Sequence, residues 1–507
     1  MKRILALMLA LLIAAAVFVG CSDKKDNDDG TMTEVVATEL DGHGNMPEGG
    51  PGPEGFPGGP PEGSPGQPPE GFPGGLPEGS PGQPPEGFPG QPPEGGPGGG
   101  PGGPGGGMDT TAVPAEVTKG EPTGVLADDG SAISSGSAVI TFGGTEKTVG
   151  AKYVIDGVEL TIDSGEFAYD SGSSDGAVFL VVNGGRLTIR GSASSPVAVT
   201  KSGSAASGGQ VNDDYNFYGI NSAVVVAGAG SAAVIENASI TTAAAGSNAV
   251  VSTNGGSVDV RNSEISTAGS AGSRGLHATY AGSITAENVS ITTQGGSSAA
   301  LATDRGGGTI TARSMKLETN GAGSPLIYST GDITLKDSTG SANKAQAVVV
   351  EGGSSASIEG CGLTCSGGGN RMGSSESDHS EHSIDACGVF IYQSFSGDAS
   401  EGIDRFSAKD STITVTAENV PMFFITNITA EIALEGNSFV YSCGRFLIAE
   451  ETSEWGVLGK NGGAAEITLT NQSLAGLKGF VGTGSSSLKL ISSDGSDAGF
   501  DIENGSW

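Results

Sequence analysis

The chain has 507 residues, of which 89 are Gly and 25 are Pro while only 5% are aromatic, so a thick globular core filled by rings is excluded and a thin, repetitive body is expected. Lys and Arg number 24 against 57 Asp and Glu, a net charge of −33 that repels nucleic-acid phosphates and anionic lipid head groups. No nucleic acid partner is expected.

Residues 1–20 open with Lys2 and Arg3 and continue as an apolar run from Ile4 to Val19, the layout of a secretory signal and too short for a stable spanning helix. The run ends in Phe18-Val19-Gly20-Cys21, which resembles the lipobox of bacterial lipoproteins, with Phe where Leu is more usual. The resemblance implies that Cys21 is acylated and that the mature protein is exported, lipid-anchored to the bacterial membrane and surface-exposed. Each buried methylene of such an anchor contributes about 0.8 kcal/mol. A soluble export signal with an incidental Cys is the alternative. Residues 21–120 form an acidic Pro/Gly-rich linker containing eight-residue repeats such as "PEGFPGGP" and "PEGSPGQP", whose period is marked by Glu54, Glu62, Glu70, Glu78, Glu86 and Glu94. Gly does not fall at every third position, which excludes a collagen triple helix. A disordered spacer reaching up to about 3.1 Å per residue is expected.

Residues 121–507 carry a longer repeat. Asn237, Asn262 and Asn288 have equivalents in Ser314, Asp337, Gly360, Asp410, Gly436 and Asn471. Apolar side chains stand two and four positions earlier in every case, and three positions later in all but one, where Gly340 stands. Alternation with a period of two indicates a strand with one buried face. Asn, Asp and Gly tolerate a left-handed backbone, so each marks a sharp bend between two strands. A third apolar run, such as "AVVVA" at 223 or "GVFIY" at 388, precedes each pair. Coils of about 21 to 27 residues are the size of one turn of a solenoid. "VELTIDSGEF" and "GRLTIRG" fit as earlier coils, with Ser164 and Gly191 at the bend.

With these repeats in place, the body resembles a right-handed parallel β-helix of the pectate-lyase-like superfamily. More closely it is similar to secreted bacterial lipoproteins with repeats like "SAALATDRGGGTI" and "GVFIYQSFSGDASEG". The expected class is all-β, a β-helix following a disordered linker. The fold hosts lyases, hydrolases, adhesins and sugar-binding modules alike, so function has to come from a site.

The pectate-lyase resemblance implies Ca²⁺ on acidic residues and an Arg within an R-x-P-x-x-R string, which this sequence lacks; the R-I-K triplet of polygalacturonases is also missing. No catalytic residue is assigned. Asp213 and Asp214 in "NDDYN", and Asp398, Glu401 and Asp404 in "GDASEGID", are candidate Ca²⁺ ligands, solvated turns being the alternative. His379 and His382 are read as solvated loop rather than as a metal site. Cys365 and Cys387 bracket an insertion and are candidates for a disulfide outside the cytoplasm, with Cys361 and Cys443 left unpaired. An outward column of Val225, Val251, His277, Leu301, Ile327, Val349, Phe390, Phe423 and Leu447 marks either a binding face or a strip covered by the same chain. His277, Tyr280, Asp304, Arg305 and Tyr392 are candidate ligand-binding residues, rings and charges of the kind that stack on and hydrogen-bond sugars; an Arg305–Asp304 pair that merely neutralises itself is the alternative. The expected role is adhesion or carbohydrate binding, toward a polysaccharide or a host or cell-surface ligand. A polysaccharide lyase or glycoside hydrolase is the alternative.

Overall fold

The computed structural model describes residues 113–206, 211–368, 386–393, 402–450, 463–473, 479–482, 487–492 and 502–503. Cys21, the linker repeats, His379, His382, Asp398 and Glu401 lie outside them. The described chain is nearly all strand and winds through three sheets, here A, B and C, of fifteen, twelve and ten strands. One coil shows the plan: Asn248–Thr253 in sheet A, Ser257–Arg261 in sheet B and Glu264–Thr267 in sheet C. Each pairs in parallel with its equivalents in the coils before and after. This is the expected parallel β-helix.

The bends between sheets B and C are set by backbone sterics. All nine repeat positions from Asn237 to Asn471 are left-handed, with φ between 47° and 65°. A Cβ in that region normally meets the following carbonyl, which is why Asn, Asp, Ser and Gly fill it. Stacking then adds side-chain bonds along the rod, as where Asn288 Nδ2 donates to Asn262 Oδ1 at 2.8 Å. The earlier coils keep the register of the bend but not its conformation: beside Ser164 the left-handed residue is Gly165, at φ 116°, and Gly191 is not left-handed.

A second ladder closes the corner from sheet C to sheet A. Thr242, Thr267, Thr293 and Thr319 donate to the carbonyls of Ser247, Ser273, Ser298 and Ser324 at 2.5–2.7 Å. Lys201 fills the same column one coil earlier and satisfies its ammonium with Ser171 Oγ and the carbonyls of Ser202 and Gly203. Between the sheets lies one narrow apolar core of Val, Ile, Leu and Ala with a few Phe. Each such side chain, fully buried, contributes about 1.5–3 kcal/mol.

The solenoid opens with an element that the repeat pattern did not reveal. β1 (Glu116–Leu126), β2 (Ala132–Phe142) and β3 (Thr145–Asp156) are antiparallel, and β3 joins sheet A in parallel with Ala177–Val182. β1 begins ahead of residue 121, where the linker is expected to end.

The outer face of sheet B carries a ladder of charged residues. Arg261, Glu287, Arg313, Lys336, Glu359, Lys409 and Glu435 are register partners in successive coils, their signs alternating except where Arg313 meets Lys336. Ion pairs form between Glu287 and Arg313 at 2.6 Å, Lys336 and Glu359 at 2.7 Å, and Lys409 and Glu435 at 2.8 Å. Exposed pairs contribute at most about 1 kcal/mol each.

Candidate functional site

The outer face of sheet A holds the residues singled out for ligand binding, and its register differs from the expected one. His277 pairs with Ala302, Ala302 with Tyr328, Tyr328 with Val349, and Phe390 with Phe424, which pairs with Ile448. Leu301, Ile327, Phe423 and Leu447 therefore face the interior, and Ala302, Tyr328, Phe424 and Ile448 take their places outside. A strand buried on both faces has no period-two signature, so the sequence cannot say which of two adjacent apolar residues points in.

The first half of this outer column is covered by the chain itself. Leu180, Val225 and Val251 pack with Ile140, Phe142, Val149, Tyr218 and Tyr280 in one cluster. The tip of the β2–β3 hairpin lies on Tyr280: the Phe142 and Tyr280 ring centroids are 5.4 Å apart, and a Cβ on Gly143, itself left-handed, would come within 3.3 Å of the Tyr280 ring. The rest of the cover is the segment that follows helix α1 (Asp213–Phe217), where Gly219 sits so closely on Val251 that a Cβ would come within 2.8 Å.

His277, Tyr280, Asp304 and Arg305 do come together beside this cover, but as a joint and not as an open surface. Asp304 takes a buried ion pair from Arg274 at 3.1 Å, and Arg274 also donates to Asn216 Oδ1 at 2.9 Å, tying the α1 segment to sheet A. Asp304 Oδ1 accepts from the Arg305 N–H, and the Arg305 guanidinium lies 3.9 Å from the Phe217 ring centroid. Tyr280 stacks on Tyr218 at 5.8 Å, and burial raises its phenol well above the usual value. His277 is fully buried with neither ring nitrogen bonded; burial, then the Arg274 charge, holds it well below the usual imidazole value, so it is neutral. Tyr392 belongs elsewhere. Arg274, which completes the joint, gave no sequence signal because it precedes the strand.

A second constellation lies where sheet A turns into sheet B, farther along the rod. Glu351 ends the strand Val348–Glu351, and its register partner one coil on is Tyr392, followed by Thr426. The Tyr392 hydroxyl donates to Glu351 Oε2 at 2.7 Å, and Tyr328 donates to the same oxygen. At this corner Asp404 pairs in register with the residue three past Glu351; its Oδ1 accepts from the Ser354 N–H at 2.8 Å, and Oδ2 has no partner. Burial, with the Glu351 charge adding, pushes the Asp404 carboxyl up to about 8 against the lowering effect of the Ser354 and Gly353 N–H groups. Asn427, left-handed at φ 60°, has neither amide atom bonded, and Thr330 Oγ1 is also without a partner.

Thr330, Glu351, Asp404 and Asn427 thus fall on four successive coils. Apart from His277, this corner holds every buried side-chain nitrogen or oxygen without a partner among the described residues. Each such group costs about 1–3 kcal/mol, so their gathering in one place is unlike ordinary folding economy and points to a ligand. The set is too long for one cation, because three steps of about 4.8 Å separate the outermost coils whereas Ca²⁺ ligands must converge within about 2.6 Å. The corner is also where the helix gains length: ten residues separate Tyr392 from Ile403 and fourteen separate Ala449 from Ala464, against two to four between sheets A and B on the other coils.

The remaining expectations resolve as follows. Asp213 and Asp214 lie in the first turn of α1, where Asn212 caps the Asp214 N–H and the Asp214 carboxylate pairs with Lys147 at 2.5 Å. No cluster of three His, Cys, Asp or Glu able to hold a metal occurs among the described residues. Cys365 keeps a free thiol in the core, pushed up to about 12 by burial, so the expected bond to Cys387 is not formed. Cys387 belongs instead to the cluster outside sheet A with Phe390, Tyr392 and Phe424.

No family model matches the chain, and no curated protein matches it. Among solved structures it is similar to the catalytic domain of a GH87 alpha-1,3-glucanase variant in complex with tetrasaccharides, at 12% identity and TM-score 0.34, covering 69% of this chain and 65% of that one. A second variant of that domain with tetrasaccharides gives 12% identity, TM-score 0.28 and coverage of 69% and 64%, and the domain with nigerose gives 12%, 0.24 and the same coverage. The chain spans about two thirds of the length of these domains, and at such scores the likeness carries no statement about chemistry.

Proposed function

We propose that the protein is a cell-surface polysaccharide-binding β-helix, anchored through Cys21, whose glycan lies along the corner formed by Thr330, Glu351, Asp404 and Asn427. The observation that carries this reading is the gathering at one corner of the unpartnered polar atoms of Thr330, Asp404 and Asn427, which belong to three of four successive coils. A linear glycan offers what those groups lack, hydroxyl donors and acceptors repeated along a chain. Tyr328, half-buried at this corner, is the ring a sugar would pack against, while Tyr392 and the stacked Phe390, whose ring lies 4.4 Å from that of Tyr392, are buried. The linker lifts the body from the membrane. Retention of the chain on insoluble glucan, xylan, mannan and chitin tests the reading. The wild type is retained on at least one of them, and Asn427→Gly, which suits the left-handed backbone, with Thr330→Val loses at least tenfold in affinity. Equal retention of the double variant would refute the site, and lack of retention on any neutral or acidic glycan would refute the ligand class.

A further inference from the structure

We propose that His277 is a proton-operated latch on the cover of sheet A: in acid the α1 segment and the tip of the β2–β3 hairpin lift away and uncover the apolar strip beneath, while the coils stay wound. The inference does not depend on the glycan corner. His277 is the register partner of Val251 on one side and Ala302 on the other, so its ring points outward with the Val251 side chain. An outward-pointing ring with no exposed surface lies beneath the cover. Gly219 rests on Val251, Asn216 accepts a hydrogen bond from Arg274, and the Phe217 ring packs on Arg305 one coil farther on, so residues 216–219 span the position of His277. Neither nitrogen of the ring has a partner.

A buried imidazole without a hydrogen bond is neutral, because nothing offsets the cost of desolvating its charge. The surrounding charges offer a proton no counter-ion. Arg274, three residues earlier, is itself a buried cation. Asp304 on the next coil is held by Arg274 at 3.1 Å and by the Arg305 N–H, and the Arg305 guanidinium lies against Phe217. On the cover, Lys147 pairs with Asp214, Glu146 and Asp213 are exposed, and Tyr218 stacks on Tyr280. A protonated His277 is therefore a second buried cation beside Arg274.

The imidazolium reaches water by displacing the cover and not by opening the core behind it, because the two layers are held differently. The coils are tied by backbone ladders in three sheets around a continuous apolar core. The α1 segment and the hairpin tip rest on sheet A through side chains: the Phe142, Tyr218 and Tyr280 cluster, the Arg274–Asn216 bond and the Lys147–Asp214 pair. Layers held by side chains open at lower free energy than ladders of a continuous sheet. Opening exposes Leu180, Val225 and Val251 as one apolar strip.

Hydrogen exchange on the whole chain between pH 7.5 and 5, corrected for the intrinsic exchange rate, tests the latch. Uptake of one proton on opening favours the open form by about tenfold for each pH unit below about 6.5. Protection in the α1 segment and the hairpin tip falls by that factor in the wild type, while the sheet B amides of Val258 and Val260 change by less than about threefold. His277→Leu loses the acid response. Should that variant fail to fold, replacing His43, His379 and His382 together by Gln leaves His277 as the sole histidine and keeps the full response. A flat profile in the wild type, a response that survives in His277→Leu or vanishes in the triple variant, or an equal loss of protection in sheet B would each overturn the latch.

Discussion

Sheet A has one outer face and two kinds of neighbourhood on it. Near the start of the rod the face is closed: β2, β3 and the α1 segment seal Val225, Val251 and Tyr280, and even the charged pair Arg274–Asp304 has its partners. Toward the far end, at the turn into sheet B, the same backbone plan leaves Thr330, Asp404 and Asn427 with unmet hydrogen-bonding capacity. The first region behaves as structure, because every polar group there but His277 is accounted for. The second departs from that rule, which is expected where a fold has been bent toward function. The residues that the sequence recommends for sugar binding mostly fall in the first region, and the proposed site falls in the second.

Breaking the closed joint gives the largest expected loss. Arg274→Met leaves the Asp304 carboxylate buried without its partner and should cost about 3–5 kcal/mol in chemical denaturation. Joining it with Asp304→Leu should recover most of that loss, since an apolar pair of similar volume often replaces a buried ion pair at little cost. A double variant as unstable as the single one would show that the pair is not what holds the joint.

Phe142→Ala tests the cover itself. Removing the ring that packs against both Tyr218 and Tyr280 should cost about 3–4 kcal/mol and raise hydrogen exchange in β2 and β3 before the coils. Uniform loss of protection along the rod would mean that cover and coils unfold as one unit.

The unsatisfied corner should respond in the opposite sense. Asn427→Gly removes a buried amide that bonds to nothing and suits the left-handed backbone, so stability should hold within about 1 kcal/mol while glycan retention falls. A clear loss of stability in this variant would place Asn427 among the structural residues.

The pH responses are the smallest effects and also differ in sign. Asp404 has a folded value near 8, above its ordinary value of 3.8, so its contribution is complete below about pH 4, falls as pH rises and is gone by about pH 8. His277 is held below the usual imidazole value, so its contribution is present above about pH 6.5 and is lost as pH falls below it. Unfolding measured against pH should therefore lose a falling slope between about pH 4 and 8 in Asp404→Asn and a rising slope below about pH 6.5 in His277→Leu. Slopes unchanged in both would remove the assignment of these two groups.

The bends were legible because a left-handed backbone restricts residue type: Asn237, Asn262 and Asn288 announce themselves wherever they recur. The three-sheet plan follows from them. The outer column was half legible, since in Leu301-Ala302 and Phe423-Phe424 both residues are apolar and both faces are covered. The corner was nearly silent. Asp404 stood out only as part of an acidic cluster with Asp398 and Glu401, Glu351 and Asn427 gave no signal by themselves, and only the stacking of coils makes the three neighbours. The available signal was phase: Glu351, Tyr392 and Thr426 occupy one offset in successive coils, and a carboxylate at that offset followed by a tyrosine is not what a repeating turn requires.

Hydrogen exchange on the chain with and without a retained neutral oligosaccharide tests the assignment of the corner most directly. Added protection should be confined to the backbone amides around Gly352–Ser354, Asp404 and Asn427. Protection concentrated instead around Arg274–Tyr280, or on the sheet B ladder, would contradict it.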